Sequence, residues 1–216
     1  MSRWPTKETM RERILETADK LFYGQGIRAV GVDTIAAQIG ISKRTLYNYF
    51  PSKEALIAAY LSRRSRPVDV PEASPVEQIL GFFDQLERRL SSIDFRGCPF
   101  VNAVAELGEP SHPAHKIALA FKEGRRLWFR ERLARLDVAD PEGLATQLLL
   151  LVDGATAAAL VRGDPKMARA AKDAARVLLT SAIGSPIASQ AQTRSPEQVS
   201  REAATGRADP HKTLSK

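Results

Sequence analysis

A single cysteine, Cys98, is the only thiol in the chain, so an intramolecular disulfide is ruled out and a reducing, cytoplasmic setting is expected. Histidine is nearly as scarce. His112, His115 and Glu106 do not share the i, i+4 spacing of a helical metal pair, and Pro110 and Pro113 interrupt them, so no metal site is expected. Gly24, Gly26 and Gly31 lack both the spacing and the preceding strand of a dinucleotide-binding loop. No serine, histidine and acid set carries a local catalytic signature either, and these absences argue against an enzyme and against a cofactor. Apolar runs are short: the longest, over residues 148–152 and on through the alanines to Val161, is broken by Asp153 and Gly154, so no membrane span is expected. The first residues lead into an amphipathic charged segment rather than the roughly 7–15-residue apolar core of an export signal.

Also missing is any stretch of alternating β-branched and aromatic residues long enough to argue for a sheet. Apolar residues recur instead at helical spacing, and the predicted fold class is all-α with about nine helices. The first, over residues 6–23, places Ile14, Ala18, Leu21 and Phe22 on one face and stops at Gly24 and Gly26. A short second helix over 32–39 ends at Gly40, and Ser42 then caps a third that runs to about Tyr49. Pro51 and Ser52 restart the chain into a fourth helix with Leu56, Ile57, Tyr60 and Leu61 on its apolar stripe.

A proline-punctuated stretch, residues 66–73, follows, and it divides a head (1–66) from a body (67–184). Ser74-Pro75-Val76-Glu77 is a complete helix start, with a serine cap, proline in the first turn and glutamate three residues on. Helix five then carries Ile79, Phe82, Phe83, Leu86 and Leu90. Gly97-Cys98-Pro99 turns into a sixth helix near 100–107, Pro113 opens a seventh, and Asp140-Pro141 and Asp164-Pro165 open the eighth and ninth. Beyond Gly184 large apolar residues nearly vanish, so residues 185–216 are expected to form a disordered tail.

Charge follows the same division. Residues 1–66 hold 12 Lys and Arg against 6 Asp and Glu, whereas residues 67–183 hold 15 against 16. A basic head on a near-neutral body suits polyanion binding, although a solvated charged surface would read the same way.

The head supplies the discriminating detail. Ile35, Ala36 and Ile39 face inward on helix two, the small Ala36 permits a close helix crossing, Gly40 turns the chain and Leu46 anchors helix three. Around that anchor stand Lys43, Arg44, Thr45, Tyr47, Asn48 and Tyr49, a density of donors and aromatics suited to a major groove lined by base edges and phosphates. The order Gly-Ile-Ser-Lys-Arg-Thr-Leu-Tyr-Asn-Tyr-Phe followed by Pro-Ser-Lys-Glu-Ala-Leu, with Ala18, Leu21, Phe22 and Gly26 upstream, resembles the signature of the tetracycline-repressor (TetR) family.

The resemblance covers residues 8–62 strongly and the body in outline. It implies an N-terminal three-helix helix-turn-helix domain and a helical C-terminal domain for ligand binding and dimerisation. By the same resemblance Lys43, Arg44, Thr45 and Asn48 address bases or nearby phosphates, while Thr34, Ser42, Tyr47, Tyr49 and Lys53 clamp the backbone. Two positions depart from the family pattern: Gly31 stands where serine or threonine usually caps helix two, and Arg44 stands where a small residue is common. Arg44 fits a bidentate contact with guanine or a phosphate contact equally well.

In the body, residues 96–107 resemble a segment that lines the sensing cavity in one group of these regulators. Asn102 and Glu106, four residues apart, would be polar handles there, or they are solvated or, for Glu106, paired with an arginine. Phe82, Phe83, Leu86, Phe121 and Trp128 complete the expected ligand set, with core packing as the alternative for the aromatics. Cys98 beside Arg96 reads either as a sensor thiol or as an inert cysteine at a turn.

Helices eight and nine are rich in leucine and alanine, and Leu151, Ala155, Ala158, Ala171, Ala175 and Leu178 are expected to pair with their two-fold mates. The function expected is a cytoplasmic homodimeric repressor, with double-stranded DNA carrying a palindromic operator and a small-molecule effector as its partners. Two other classes compete: a helical carrier or enzyme with an incidental helix-turn-helix, which needs a catalytic constellation, and an architectural protein, which needs a solidly packed body.

Overall fold

The computed structural model describes residues 7–69 and 71–184. The expected tail, residues 185–216, lies outside the described residues, as does Thr6 at the expected start of the first helix. Among the described residues every regular element is a helix: α1 (Lys7–Gln25), α2 (Val32–Ile39), α3 (Lys43–Tyr47), α4 (Lys53–Arg64), α5 (Pro75–Leu90), α6 (Pro99–Leu107), α7 (Pro113–Leu133), α8 (Pro141–Arg162) and α9 (Met167–Gly184).

The helix starts follow the local chemistry. Ser42, Ser52, Ser74 and Asp140 each accept a backbone N–H from the residue three positions on, filling one of the orphan donors at a helix N-terminus. At α5 the Glu77 carboxylate also accepts the Ser74 N–H, which closes a capping box. Gly31 precedes α2 with no side-chain cap.

Two boundaries differ from the sequence reading. Helix α3 ends at Tyr47, and Asn48 to Phe50 continue as turns bonded back to Arg44, Thr45 and Leu46. Helix α9 begins at Met167, two residues past Pro165, because the Asp164 carboxylate takes the Lys166 N–H and the next three amides bond three residues back. That tighter turn is 3₁₀-like and delays the α-helix.

The expectation that nothing here could span a membrane also needs correcting. By length and composition α8 is apolar enough to do so. Asp153 and Gly154 do not interrupt it, since both lie inside one continuous helix and the Asp153 carboxylate pairs with Lys122. In this fold part of its apolar surface serves the interior instead: Leu144, Ala145, Leu148, Val152 and Ala159 are buried.

The buried residues form two clusters. One joins Ile14, Phe22, Ile35, Leu46 and Leu56 of α1–α4 to Phe100 and Ala103 of α6 and Ala114 and Ala118 of α7. The other holds Ile79, Phe83 and Leu86 of α5 with Phe129, Leu148 and Ala175 of α7, α8 and α9. The interior of the first four helices therefore runs on into α6, and these helices cannot shift without disturbing it.

Candidate nucleic-acid interface and internal cavity

The α2–α3 turn is built by one glycine and one serine. Gly40 takes the left-handed conformation, φ 78° and ψ 36°, and its N–H and that of Ile41 bond back to Ala36, a reversal that a side chain at this position would strain. Ser42 Oγ then accepts the Thr45 N–H at 3.0 Å and lies 2.8 Å from Thr45 Oγ1. Leu46, with 0% exposure, fixes the buried side of α3. Arg44 stands two residues away, about 200° of helical turn, and is exposed.

Thr34, Ser42, Lys43, Tyr47 and Asn48 are exposed as well, while Thr45, Tyr49 and Lys53 are half-buried. Lys43 is not free. Its Nζ lies 2.9 Å from Asp33 Oδ2, and that hydrogen-bonded carboxylate raises its pKa. The arrangement offers cations, hydroxyls and an amide to a polyanion, with one carboxylate already competing for one of the cations.

Behind this surface, four hydrogen bonds tie α1 and the α1–α2 turn to α6 and the segment before it. Tyr23 donates its hydroxyl to Gly97 O at 3.0 Å and accepts the Arg96 N–H at 2.9 Å. Arg28 donates its N–H to Glu106 Oε2 at 3.0 Å and its Nη2 to Leu107 O at 3.4 Å. Arg64 on α4 makes a two-pronged contact with Asp19, at 2.6 and 2.9 Å, and its guanidinium lies 3.9 Å from the Tyr23 ring centre.

Below them lies a cavity of about 640 Å³, within the range of drug-sized ligand sites. Phe82, Leu86, Phe121, Leu149 and Val152 supply much of its apolar wall, and Arg89, Arg125, Gln85 and Cys98 face it too. Burial and the neighbouring guanidinium of Arg89 push the Arg125 pKa down, to about 10, and burial pushes Arg89 down as well. Arg125 Nη2 donates to the Arg66 carbonyl at 2.9 Å, at the irregular junction after α4.

Of the ligand set expected from the sequence, Phe82, Leu86 and Phe121 line this cavity. Phe83 lies wholly in the core, and Trp128 packs against that core with Arg132 3.9 Å from its ring centre. Asn102 donates to Arg96 O at 2.7 Å and holds the turn before α6, and Glu106 holds Arg28, so neither is among the residues lining the cavity.

Comparison with known proteins places this arrangement. The profile of the bacterial regulatory proteins of the tetR family matches residues 14–60. The HTH-type transcriptional regulator YjdC of Escherichia coli is 29% identical over 159 residues, 70% of this chain and 83% of YjdC. A TetR-family regulator from Streptomyces coelicolor is 31% identical, covering 80% of this chain and 95% of its own, with a TM-score of 0.72. One of the same type from Streptomyces avermitilis is 35% identical over 80% of this chain and 97% of its own, with a TM-score of 0.71. This chain belongs to the TetR family.

It is therefore a transcriptional regulator with a helix-turn-helix DNA-binding domain, and its relatives are DNA-binding regulators rather than enzymes. In this TetR-family member one broad apolar face remains open to solvent. Leu150 (65%), Val161 (86%) and Val177 (68%) are exposed on α8 and α9, and Leu151, Ala155, Ala158 and Ala171 line a shallow groove between the two helices. Leu178 is half-buried, whereas Ala175 is wholly enclosed by the protomer's own core and has no surface to offer.

Tyr23, Arg28, Arg89 and Arg125 were not singled out from the sequence. For the last two a signal was present: Arg89 falls at i+7 from Phe82 and i+3 from Leu86, and Arg125 at i+4 from Phe121, so each interrupts an apolar stripe at helical spacing. Nothing local marks Tyr23 or Arg28, because their partners lie more than 70 residues away.

Proposed function

We propose that this protein is a homodimeric repressor that holds a palindromic operator through α2 and α3 and releases it when a small molecule enters the cavity. The observation that carries the reading is the cavity's position: Asp19 and Tyr23 of α1 and Arg64 of α4 share its wall with α5, α7 and α8. A ligand there touches the elements that carry the reading head, and effector and DNA need only prefer different head positions to weaken each other's binding by one coupling free energy. Residues 1–66 act as the DNA-binding head and residues 67–184 as the ligand-binding and dimerisation body. Lys43, Arg44, Thr45 and Asn48 address bases and adjoining phosphates, and Thr34, Ser42, Tyr47, Tyr49 and Lys53 hold the backbone.

The exposed α8–α9 face supports dimerisation. Only 33% of the most apolar stretch of α8 is buried within one chain, and pairing with a two-fold mate would cover the rest. Ala158, Leu151 and Leu150 are central to that contact. Two copies so joined present two recognition helices to half-sites about 34–36 Å apart, or a multiple of that. A location in the cytoplasm, where DNA and effector meet, follows from the role.

The test has two parts. Binding-site selection from random duplex DNA should return a palindrome, and compounds that raise the protein's melting temperature should weaken binding to that palindrome. Ligands that stabilise the protein while leaving operator affinity unchanged would leave a DNA-binding protein without effector control.

A further inference from the structure

We propose that the effector is an organic anion, an apolar molecule bearing one carboxylate or a similar acid that sits between Arg89 and Arg125. The inference rests on the effector reading of the cavity and names the chemistry of its occupant. The two guanidiniums approach the same ring, Arg89 at 5.8 Å and Arg125 at 5.6 Å from the Phe82 centre. Arg125 also lies 5.0 Å from the Phe121 centre. Among the described residues neither arginine has a carboxylate partner.

Most of the other charges on the wall are already committed, the exceptions being the exposed Arg66, Asp69 and Asp94. Arg64 holds Asp19, Arg63 holds Glu12 and Lys122 holds Asp153. Asp69 and Asp94 lie on exposed loop segments and form no ion pair with either arginine. What remains is an excess of positive charge facing a partly open cavity lined by Phe82, Leu86, Phe121, Leu149 and Val152.

Two like charges left unpaired beside one another in a partly dehydrated site oppose folding, and the faces of Phe82 and Phe121 offset only part of that. A bound anion would remove the repulsion and accept charge-assisted hydrogen bonds from both groups, so its binding is favoured twice over. The apolar wall then selects the body of the molecule, which must be greasy and of drug-like size.

The same arginine connects the ligand to the head. Arg125 Nη2 now holds the Arg66 carbonyl, just past the end of α4, and α4 packs against α1 through Arg64, Asp19 and Tyr23. An acid that draws the Arg125 guanidinium into the cavity competes for that donor and loosens the junction. Arg125 is thus the residue through which the charge of the ligand reaches the DNA-binding helices, and Arg89 is an anchor with no such link.

The experiment uses the whole 216-residue chain and a panel of aromatic and aliphatic carboxylic acids, each paired with its neutral primary amide and with an amine of the same shape. Melting shifts and calorimetric titration are read on the wild type and on Arg89→Met and Arg125→Met. Acids should dominate the binders, bind about 10- to 100-fold more tightly than their amides, and lose most of that preference in either variant while the amides bind unchanged. Arg89→Met should melt no lower than the wild type, since it removes a repulsion, whereas Arg125→Met also gives up its bond to the Arg66 carbonyl; a clear fall for Arg89→Met would mark that arginine as structural and overturn the proposal. Arg125→Met should weaken the link between acid binding and operator release more than Arg89→Met does. A panel with no acid among its binders, or an acid preference that survives in both variants, overturns the proposal. If acids bind as described but leave operator affinity untouched, the anion site stands and effector control fails.

Discussion

Glu106 Oε2 accepts the Arg28 N–H at 3.0 Å and lies 3.0 Å from the place a Cβ would occupy on Gly26. The carboxylate of α6 is thus seated against the bare backbone of the α1–α2 turn, and Gly26 at φ 97° is in a conformation that L side chains rarely adopt. Gly26→Ala should destabilise the protein by about 1–3 kcal/mol, read as a lower urea midpoint, and Glu106 must move to admit the methyl. Glu106→Gln keeps an acceptor for Arg28 and should be milder. If both variants unfold like the wild type, this contact does not join head to body.

Arg44 and Lys53 should separate specificity from affinity. Arg44→Ala is expected to relax the preference at one base position in each half-site, by about 1–3 kcal/mol if the contact is bidentate. An unchanged preference would assign Arg44 to phosphate. Lys53→Ala should weaken specific and nonspecific binding alike and lower the salt slope by about one for each phosphate left without its cation. Asp33 offers a third handle in the opposite direction, since it holds Lys43 in the free protein: Asp33→Asn should tighten nonspecific binding severalfold, measured by fluorescence anisotropy.

Dimerisation is tested on a small, accessible position of the groove. Ala158 lines the groove between α8 and α9, and Ala158→Arg places a charge where a partner helix would pack. Sedimentation velocity should show a dimer for the wild type at micromolar concentration and a monomer for the variant, with unchanged helicity. A wild-type monomer that still binds palindromic DNA tightly would remove the paired-head mechanism.

Acid should destabilise the fold in a defined window. Glu16, Glu54, Glu77, Glu123 and Glu142 all sit below the usual 4.5, held down chiefly by hydrogen bonds, from Lys20 for Glu16, Ser74 for Glu77 and Arg126 for Glu123 and Glu142. A carboxyl depressed in the folded state contributes stability above its unfolded pKa and loses it as pH falls through the folded value. The melting temperature should therefore drop below about pH 4.5, and Ser74→Ala, which costs about 1 kcal/mol as a lost cap, should flatten part of that drop. A melting curve indifferent to pH between 5 and 3 would contradict these pairings.

The helix starts and the recognition turn were legible because their causes are local. Ser42, Ser74 and Asp140 cap helices from three residues away, and Gly40 needs only its own missing side chain. The same applies to Leu46, whose apolar neighbours at helical spacing reveal which side of α3 is buried. Asn102 and Glu106 were harder to read. Their i, i+4 spacing is equally suited to a cavity wall or to a clamp; Asn102 is settled by the Arg96 carbonyl six residues away, and Glu106 only by Arg28, 78 residues distant.

Local chemistry along the chain determined the all-helical class, the order of the elements and the turn that leaves most of the polar residues of α3 exposed, since periodicity, capping and turn formation act over a few neighbours. Tertiary packing alone decided where Arg89 and Arg125 meet, because α7 must pack against α5 at Phe82 before the two charges can face one another. It likewise enclosed Ala175 while leaving Val177 in solvent two residues later. Both outcomes depend on how the side chains of separate helices fill a shared volume, and that is a property of the whole folded chain rather than of any segment.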